Sequence, residues 1–290
     1  MKKLLKILLI SVFLINSIGV TVYAKETDQT AVSQAVHVDN SYKLCDLMDN
    51  FKNYITTNVS FHEGDLYQHS IWTALVVDQW FENHESYVEG LSARDRKLAV
   101  LAALLHDIGK AGDLAFVFYT KPDHDIKGLE YLTGKKPFNL TRDKTFDFVK
   151  FFASLGLSED EIKMIAILVG CHNQMGVLLR KLPPKTDNLD ELSKFKTERE
   201  ELLEFVSKVM AVVGYEKKID SRLLKLITLI CFADVKGSKK VDLTKPLKIF
   251  DLTITSSPDM THSECSDNFT KLGYDSRGKK IRELLLGFEK

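Results

Sequence analysis

Leu104-Leu105-His106-Asp107-Ile108-Gly109-Lys110 is the stretch from which the rest of the chain can be read. Leu98, Leu101, Ala102 and Leu105 run into it at the spacing of one buried helix face. The pattern predicts a helix that carries an imidazole and a carboxylate to its own buried end. Gly109 is expected to leave that helix with positive φ. Neutral imidazole binds Fe, Mn, Co, Ni and Zn, and a carboxylate can bridge two such ions, so the pair suits a metal site. Taken alone, a His-Asp dipeptide fits a surface pair after a core helix equally well. What decides is whether other donors converge on the same place.

Upstream, Leu44, Leu47, Met48 and Phe51 recur at helical spacing within Tyr42 to Tyr54. A loop with a glycine turn, Phe61 to Gln68, then feeds a helix in which His69, Trp72, Val76 and Trp80 share a face, so His69 points inward. Ser92, with Asp95 three residues on, reads as the capped start of the helix that ends at His106-Asp107. Downstream, Lys121-Pro122-Asp123 is a turn that opens a helix at His124, where the positive end of the helix dipole favours neutral imidazole. Phe148, Phe151, Phe152 and Leu155 form a further helix ended by Gly156. Ser158 and Glu161 then cap one that runs to Gly170-Cys171-His172-Asn173. Pro183-Pro184 forces a loop before a charged helix from Leu189 to about Val213. Asp220 caps the next helix, on whose apolar stripe Leu223, Ile227 and Ile230 are joined by Asp234. An acid in such a stripe is rarely buried unless it is paired or bound to a metal.

The body therefore reads as all-α, without internal repeats. After Lys240 the pattern loosens. Weak alternation over Leu247 to Ile254 allows a two-strand addition, and a short amphipathic helix is expected at Lys279 to Phe288. With 40 basic and 40 acidic residues the chain has no global field to attract nucleic acid or an anionic membrane. Lys2, Lys3 and Lys6, the apolar run Ile7 to Ile15, and Val22-Tyr23-Ala24 have the order of an export signal. Leu4 to Tyr23 is also long enough for a membrane anchor, but Asn16, Ser17 and Gly19 interrupt it. The expected organisation is a cleaved signal peptide (1–24), a flexible lead-in (25–41), a helical domain (42–240) and a less regular C-terminal extension packing on it (241–290). The mature chain would be periplasmic or secreted, with no stable membrane association. Cys45, Cys171, Cys231 and Cys265 lack paired C-x-x-C spacing, and the apolar surroundings of Cys171 and Cys231 suit buried free thiols.

Four of the eight histidines fall at helix ends or on a core face. In chain order the inward or helix-end donors are His69, His106-Asp107, His124, His172 and Asp234. This order, with the motif LLHDIGK, the loop EGDLYQHS and the ADVKGS context of Asp234, resembles the HD-domain superfamily of metal-dependent phosphohydrolases over about His62 to Lys240. The resemblance implies an HD-type helical bundle whose minimal metal set is His69, His106, Asp107 and Asp234. His124 and His172 would extend it to a six-ligand, two-ion set of Fe, Mn or another divalent transition metal. HDIKGLEYL is similar to a segment of the cyclic-dinucleotide phosphodiesterase branch, whereas GCHNQMG stands where that branch has a double His and a GYP stretch, which argues against cyclic di-GMP.

The chemistry implied is hydrolysis of a small phosphorylated substrate, a phosphomonoester or phosphodiester such as a nucleotide, by a metal-bound hydroxide. Asp107 would join the two ions. Lys110 would neutralise a phosphate oxygen, although its position equally suits a solvated lysine after a helix end. No G-x-S-x-G nucleophile motif is present. Two other readings stay open. The same ligand order occurs in the di-iron oxygenases of the superfamily, and an inert HD module would bind a nucleotide or a partner without turnover.

Overall fold

Ser92 starts the central helix. Its side chain accepts the N–H of Asp95, whose carboxylate in turn accepts the N–H of Ser92. From there every residue from Leu98 to Leu105 is buried. The computed structural model describes residues 43–51, 65–111, 123–140, 145–174, 176–177, 189–249 and 252–256, all within one unit, Asn40–Lys290. The expected signal peptide, lead-in, loop at 61–64 and helix at 279–288 lie outside the described residues.

The described helices are α1 (Leu44–Phe51), α2 (Leu66–Glu82), α3 (Ala93–Leu105), α4 (His124–Leu132), α5 (Phe148–Ser154), α6 (Glu159–Cys171), α7 (Leu189–Val213) and α8 (Ser221–Lys236). The sequence suggests one buried face for α3, but α2, α6 and α8 all pack against it. Ala99, Ala102 and Ala103 keep its outline slim enough to be enclosed. α4 and α7 pack on α6, and α8 also packs on α2. The helix ends that carry the candidate donors are thereby held together by the most deeply buried part of the molecule.

The body is mostly helical, as expected, and the two-strand addition allowed over Leu247 to Ile254 is joined by one hairpin that the sequence reading does not anticipate. Two antiparallel hairpins are present, β1 (Phe138–Asn139) with β2 (Thr145–Phe146), and β3 (Leu247–Ile249) with β4 (Leu252–Ile254). Phe138 and Phe146 are partners in the first and pack with Phe148, Phe151 and Phe152 of α5. Two-residue strands carry no alternation to read, so the first hairpin is invisible to periodicity. The second buries Leu247, Ile249, Leu252 and Ile254, with β3 against α3. Trp80 is only half-buried, at the outer end of the face that buries His69, Trp72 and Val76. Cys171 and Cys231 are buried free thiols. Among the described residues no helix is long and apolar enough to cross a membrane.

Surface ion pairs fix the start of α3. Arg94 donates to both carboxylate oxygens of Glu161 on α6, at 2.6 and 2.7 Å, and Arg222 of α8 donates to Asp95 at 2.8 Å. The guanidinium of Arg94 outweighs partial burial and holds the Glu161 carboxyl down at about 2, against an ordinary 4.5. A depressed folded-state pKa stabilises above the unfolded value and is lost as pH falls towards the folded one. Glu161→Gln is therefore expected to lower the unfolding temperature at pH 7. That deficit should shrink as pH drops from 4.5 towards 2. Solvent exposure of the pair limits the effect to about 1 kcal/mol or less. Thermal unfolding of both proteins between pH 7 and 3 checks it; a deficit that does not change with pH would assign the loss to packing.

Candidate metal centre

Three of the four histidines reach the centre with one ring nitrogen already committed. His106 follows the last residue of α3, and its Nδ1–H donates to the Ala103 carbonyl at 2.7 Å. His172 follows the last residue of α6 and donates from Nδ1 to the Val169 carbonyl at 2.6 Å. Carbonyls in the last turn of a helix lack intrahelical donors, so a histidine placed there satisfies one of them and fixes its own tautomer. His69, in the first turns of α2, faces the Gly237 carbonyl from Nδ1 at 3.0 Å. A carbonyl only accepts, so all three rings carry the proton on Nδ1 and present an Nε2 lone pair.

These Nε2 atoms converge with two carboxylates. His69 Nε2 lies 3.1 Å from His106 Nε2, 2.9 Å from Asp234 Oδ1 and 3.6 Å from Asp107 Oδ2. His106 Nε2 lies 3.4 Å from Asp234 Oδ1 and 3.5 Å from Asp107 Oδ2. On the other side of the same carboxylate, Asp107 Oδ1 lies 3.2 Å from His124 Nε2 and 3.6 Å from His172 Nε2, and those two nitrogens are 3.3 Å apart. All six residues singled out in the sequence thus meet in one place. His69, His106, Asp107, His172 and Asp234 are buried there, and His124 is half-buried.

The spacing tests whether a metal fits. Donors about 2.1 Å from a first-row ion, at tetrahedral or octahedral angles, stand roughly 3.0–3.4 Å apart. The observed separations, 2.9 to 3.6 Å, bracket that range in both sets. Lone pairs facing each other at 3.1 Å repel unless positive charge lies between them. Asp107 Oδ1 and Asp234 Oδ1 are buried and receive no hydrogen bond, a cost that a cation removes. Proximity also groups His106 with Asp107 and His172. The closer approach of His124 to both Asp107 and His172 makes His124 the better member of that second set.

Burial pushes the Asp107 carboxyl up. The Lys110 ammonium and the His106, His124 and His172 imidazoles facing it outweigh that and hold it well below the carboxylate range. Burial likewise pushes Asp234 up, and the His106 and His69 imidazoles overcome it. Both acids are therefore ionised, the form that binds metal. Two carboxylates against one ammonium leave the cluster net negative.

Three details depart from the sequence reading. Gly109 is not among the positive-φ glycines. It lies in a single 3-10 turn, Ile108–Lys110, and a Cβ there would stand 1.7 Å from the His124 carbonyl oxygen. Glycine is needed for close approach to α4, not for conformation. Lys110 is not a solvated lysine after a helix end, since its Nζ pairs with Asp107 Oδ2. Asn173, which the sequence reading does not single out, places Nδ2 3.0 Å from His124 Nε2. Its only sequence signal is its place beside a helix-end histidine.

A helical core that gathers four imidazoles and two ionised carboxylates at ligand spacing defines a metal-binding protein class. Residues 66–204 match the family model of the HD domain, so this stretch carries an HD domain, as the sequence resemblance implies. That match includes His69, His106, Asp107, His124 and His172, while Asp234 lies beyond it and joins the centre through the fold. No curated protein and no solved structure matches the chain.

Proposed function

We propose that the protein hydrolyses a phosphomonoester or phosphodiester, a nucleotide being the favoured class, with two divalent transition-metal ions. The observation that carries this is Asp107. One of its oxygens faces His69 and His106, and the other faces His124 and His172. On this reading His69, His106, Asp107 and Asp234 hold the first ion, and Asp107, His124 and His172 the second. Two such ions, when bound, acidify a water and neutralise phosphoryl-oxygen charge. The residues contribute fixed orientation. Nδ1–H donation locks His69, His106 and His172, and the apolar helices around them keep bulk water from competing. Lys110 shares the Asp107 carboxylate and, freed from it, supplies a cation to a phosphate oxygen.

Metal analysis of anaerobically purified protein, followed by a phosphatase and phosphodiesterase substrate panel, tests the reading. His124→Ala and His172→Ala are each expected to lose about one metal equivalent with the fold intact, as single ligands of one ion in a two-metal site. Full metal content and activity in both would make them ordinary core histidines. Four imidazoles also suit iron, so oxygen-consuming turnover without phosphate release would replace hydrolysis by the oxygenase chemistry of the same superfamily. Metal binding with no turnover in either assay would mean an inert binding module. The chain is further proposed to be exported with cleavage after Ala24. N-terminal sequencing of exported protein should begin at Lys25, and an intact Met1 on membrane-bound material would mean an anchor instead.

A further inference from the structure

We infer that Gly237 is a positioning residue for the first ion: its carbonyl at the end of α8 fixes Nδ1 of the His69 imidazole while Asp234 faces Nε2, and only glycine at 237 permits it. The inference rests on the two-ion reading above. His106 and His172 fix their tautomers on spare carbonyls at the ends of their own helices. His69 has no such resource. It sits near the start of α2, where the unsatisfied backbone groups are N–H donors and nearby carbonyls are already used. The acceptor for its Nδ1–H therefore has to come from another element.

α8 supplies it. Asp234 stands in the last turn of α8 and meets His69 Nε2 at 2.9 Å. Three residues on, the Gly237 carbonyl meets Nδ1 of the same ring at 3.0 Å. Gly237 closes the helix by donating its N–H to the Ala233 carbonyl at 2.7 Å. Its φ of −74° is open to any residue, so conformation does not ask for glycine. Space does. A Cβ at 237 would lie 2.6 Å from both the backbone nitrogen and Oγ1 of Thr73, and 2.7 Å from its Cα. Thr73 is fully buried one turn beyond His69, and its hydroxyl is tied to the His69 carbonyl at 2.9 Å. Two of the three atoms met are helix backbone and cannot step aside. A side chain at 237 would lift the end of α8 away from α2 and draw its carbonyl off Nδ1. His69 would then be able to rotate or to place its proton on Nε2, the atom meant for the ion.

The test uses the full mature chain loaded with Zn²⁺, with ¹⁵N-labelled histidine. His69 should give a slowly exchanging Nδ1–H signal, identified by its loss in His69→Gln. Gly237→Ala should lose or shift that signal and bind the first zinc about 10–100-fold more weakly in chelator competition, the scale of losing an outer partner of a metal ligand. The second zinc should bind as before. Ser238→Ala, whose hydroxyl donates to the Val235 carbonyl, should change neither. If Gly237→Ala does not fold, the unmutated protein decides, because a His69 bound to zinc through Nδ1 overturns the proposal. A folded Gly237→Ala with an unchanged His69 signal and unchanged zinc affinity also overturns it, while leaving the two-ion reading standing. Failure of the unmutated protein to bind zinc would overturn both.

Discussion

Asp107→Asn should lower phosphohydrolase turnover at least ~10²-fold, or about 3 kcal/mol of transition-state stabilisation. Asp107 is the only residue of the cluster whose two donor atoms face different donor sets. Oδ2 lies 3.5 and 3.6 Å from His106 and His69, and Oδ1 lies 3.2 and 3.6 Å from His124 and His172. An amide of the same shape keeps one oxygen and turns an NH₂ group towards the other set. It also removes one of the two negative charges that offset the ions, and leaves the Lys110 ammonium facing the centre without its carboxylate. Folding should change little, because the amide hydrogens can donate to the Nε2 lone pairs that they meet. Steady-state turnover with added Mn²⁺ or Fe²⁺, beside circular dichroism of the same sample, checks both halves. A folded variant with near wild-type turnover would sink the metal-dependent hydrolase reading.

Much of this centre is legible in the sequence because its donors are placed by local chemistry. Ser92, Ser158 and Asp220 announce where helices begin. His106 and His172 each follow a run of buried residues, so their places at helix ends can be counted from the sequence. Asp234 is conspicuous as an acid on an apolar stripe. Relations between distant segments are not legible. Gly109 misleads because a glycine after a helix is most often there for its backbone freedom, whereas this one makes room for a carbonyl fifteen residues further on. Gly237 gives no local signal, and Asn173 only its place beside His172, for the same reason: what they touch is far away in sequence or set by a neighbouring helix. The side chain of Lys110 lies outside periodicity altogether, and only the fold shows it turned back on Asp107.

Gly109→Ala should cost the second ion and a large part of the stability margin together. A Cβ at 109 would sit 1.7 Å from the His124 carbonyl oxygen, 2.6 Å from its carbonyl carbon and 2.8 Å from the Gly128 nitrogen. All three are backbone atoms of α4, so no rotamer change relieves the overlap. α4 has to retreat by more than about 1 Å before the contact becomes tolerable. Metal–ligand distances tolerate only about 0.2 Å, so a shift of that size takes His124 out of reach of Asp107 and His172. None of the first donor set lies on α4: His69 and Asp234 are on α2 and α8, and His106 and Asp107 precede the 108–110 turn, so a retreat of α4 leaves all four in place. The variant should therefore bind about one metal equivalent fewer and keep the other. Its turnover should fall to the level of His124→Ala. Overpacking against rigid backbone belongs at the upper end of its usual cost, about 3 kcal/mol, which for a domain of this size lowers the unfolding temperature by roughly 6–12 °C. Metal analysis and thermal unfolding of the same preparation separate the two effects. A Gly109→Ala variant that holds its full metal complement at an unchanged unfolding temperature would mean that the 108–110 turn does not press on α4, and the placement of His124 would have to be abandoned.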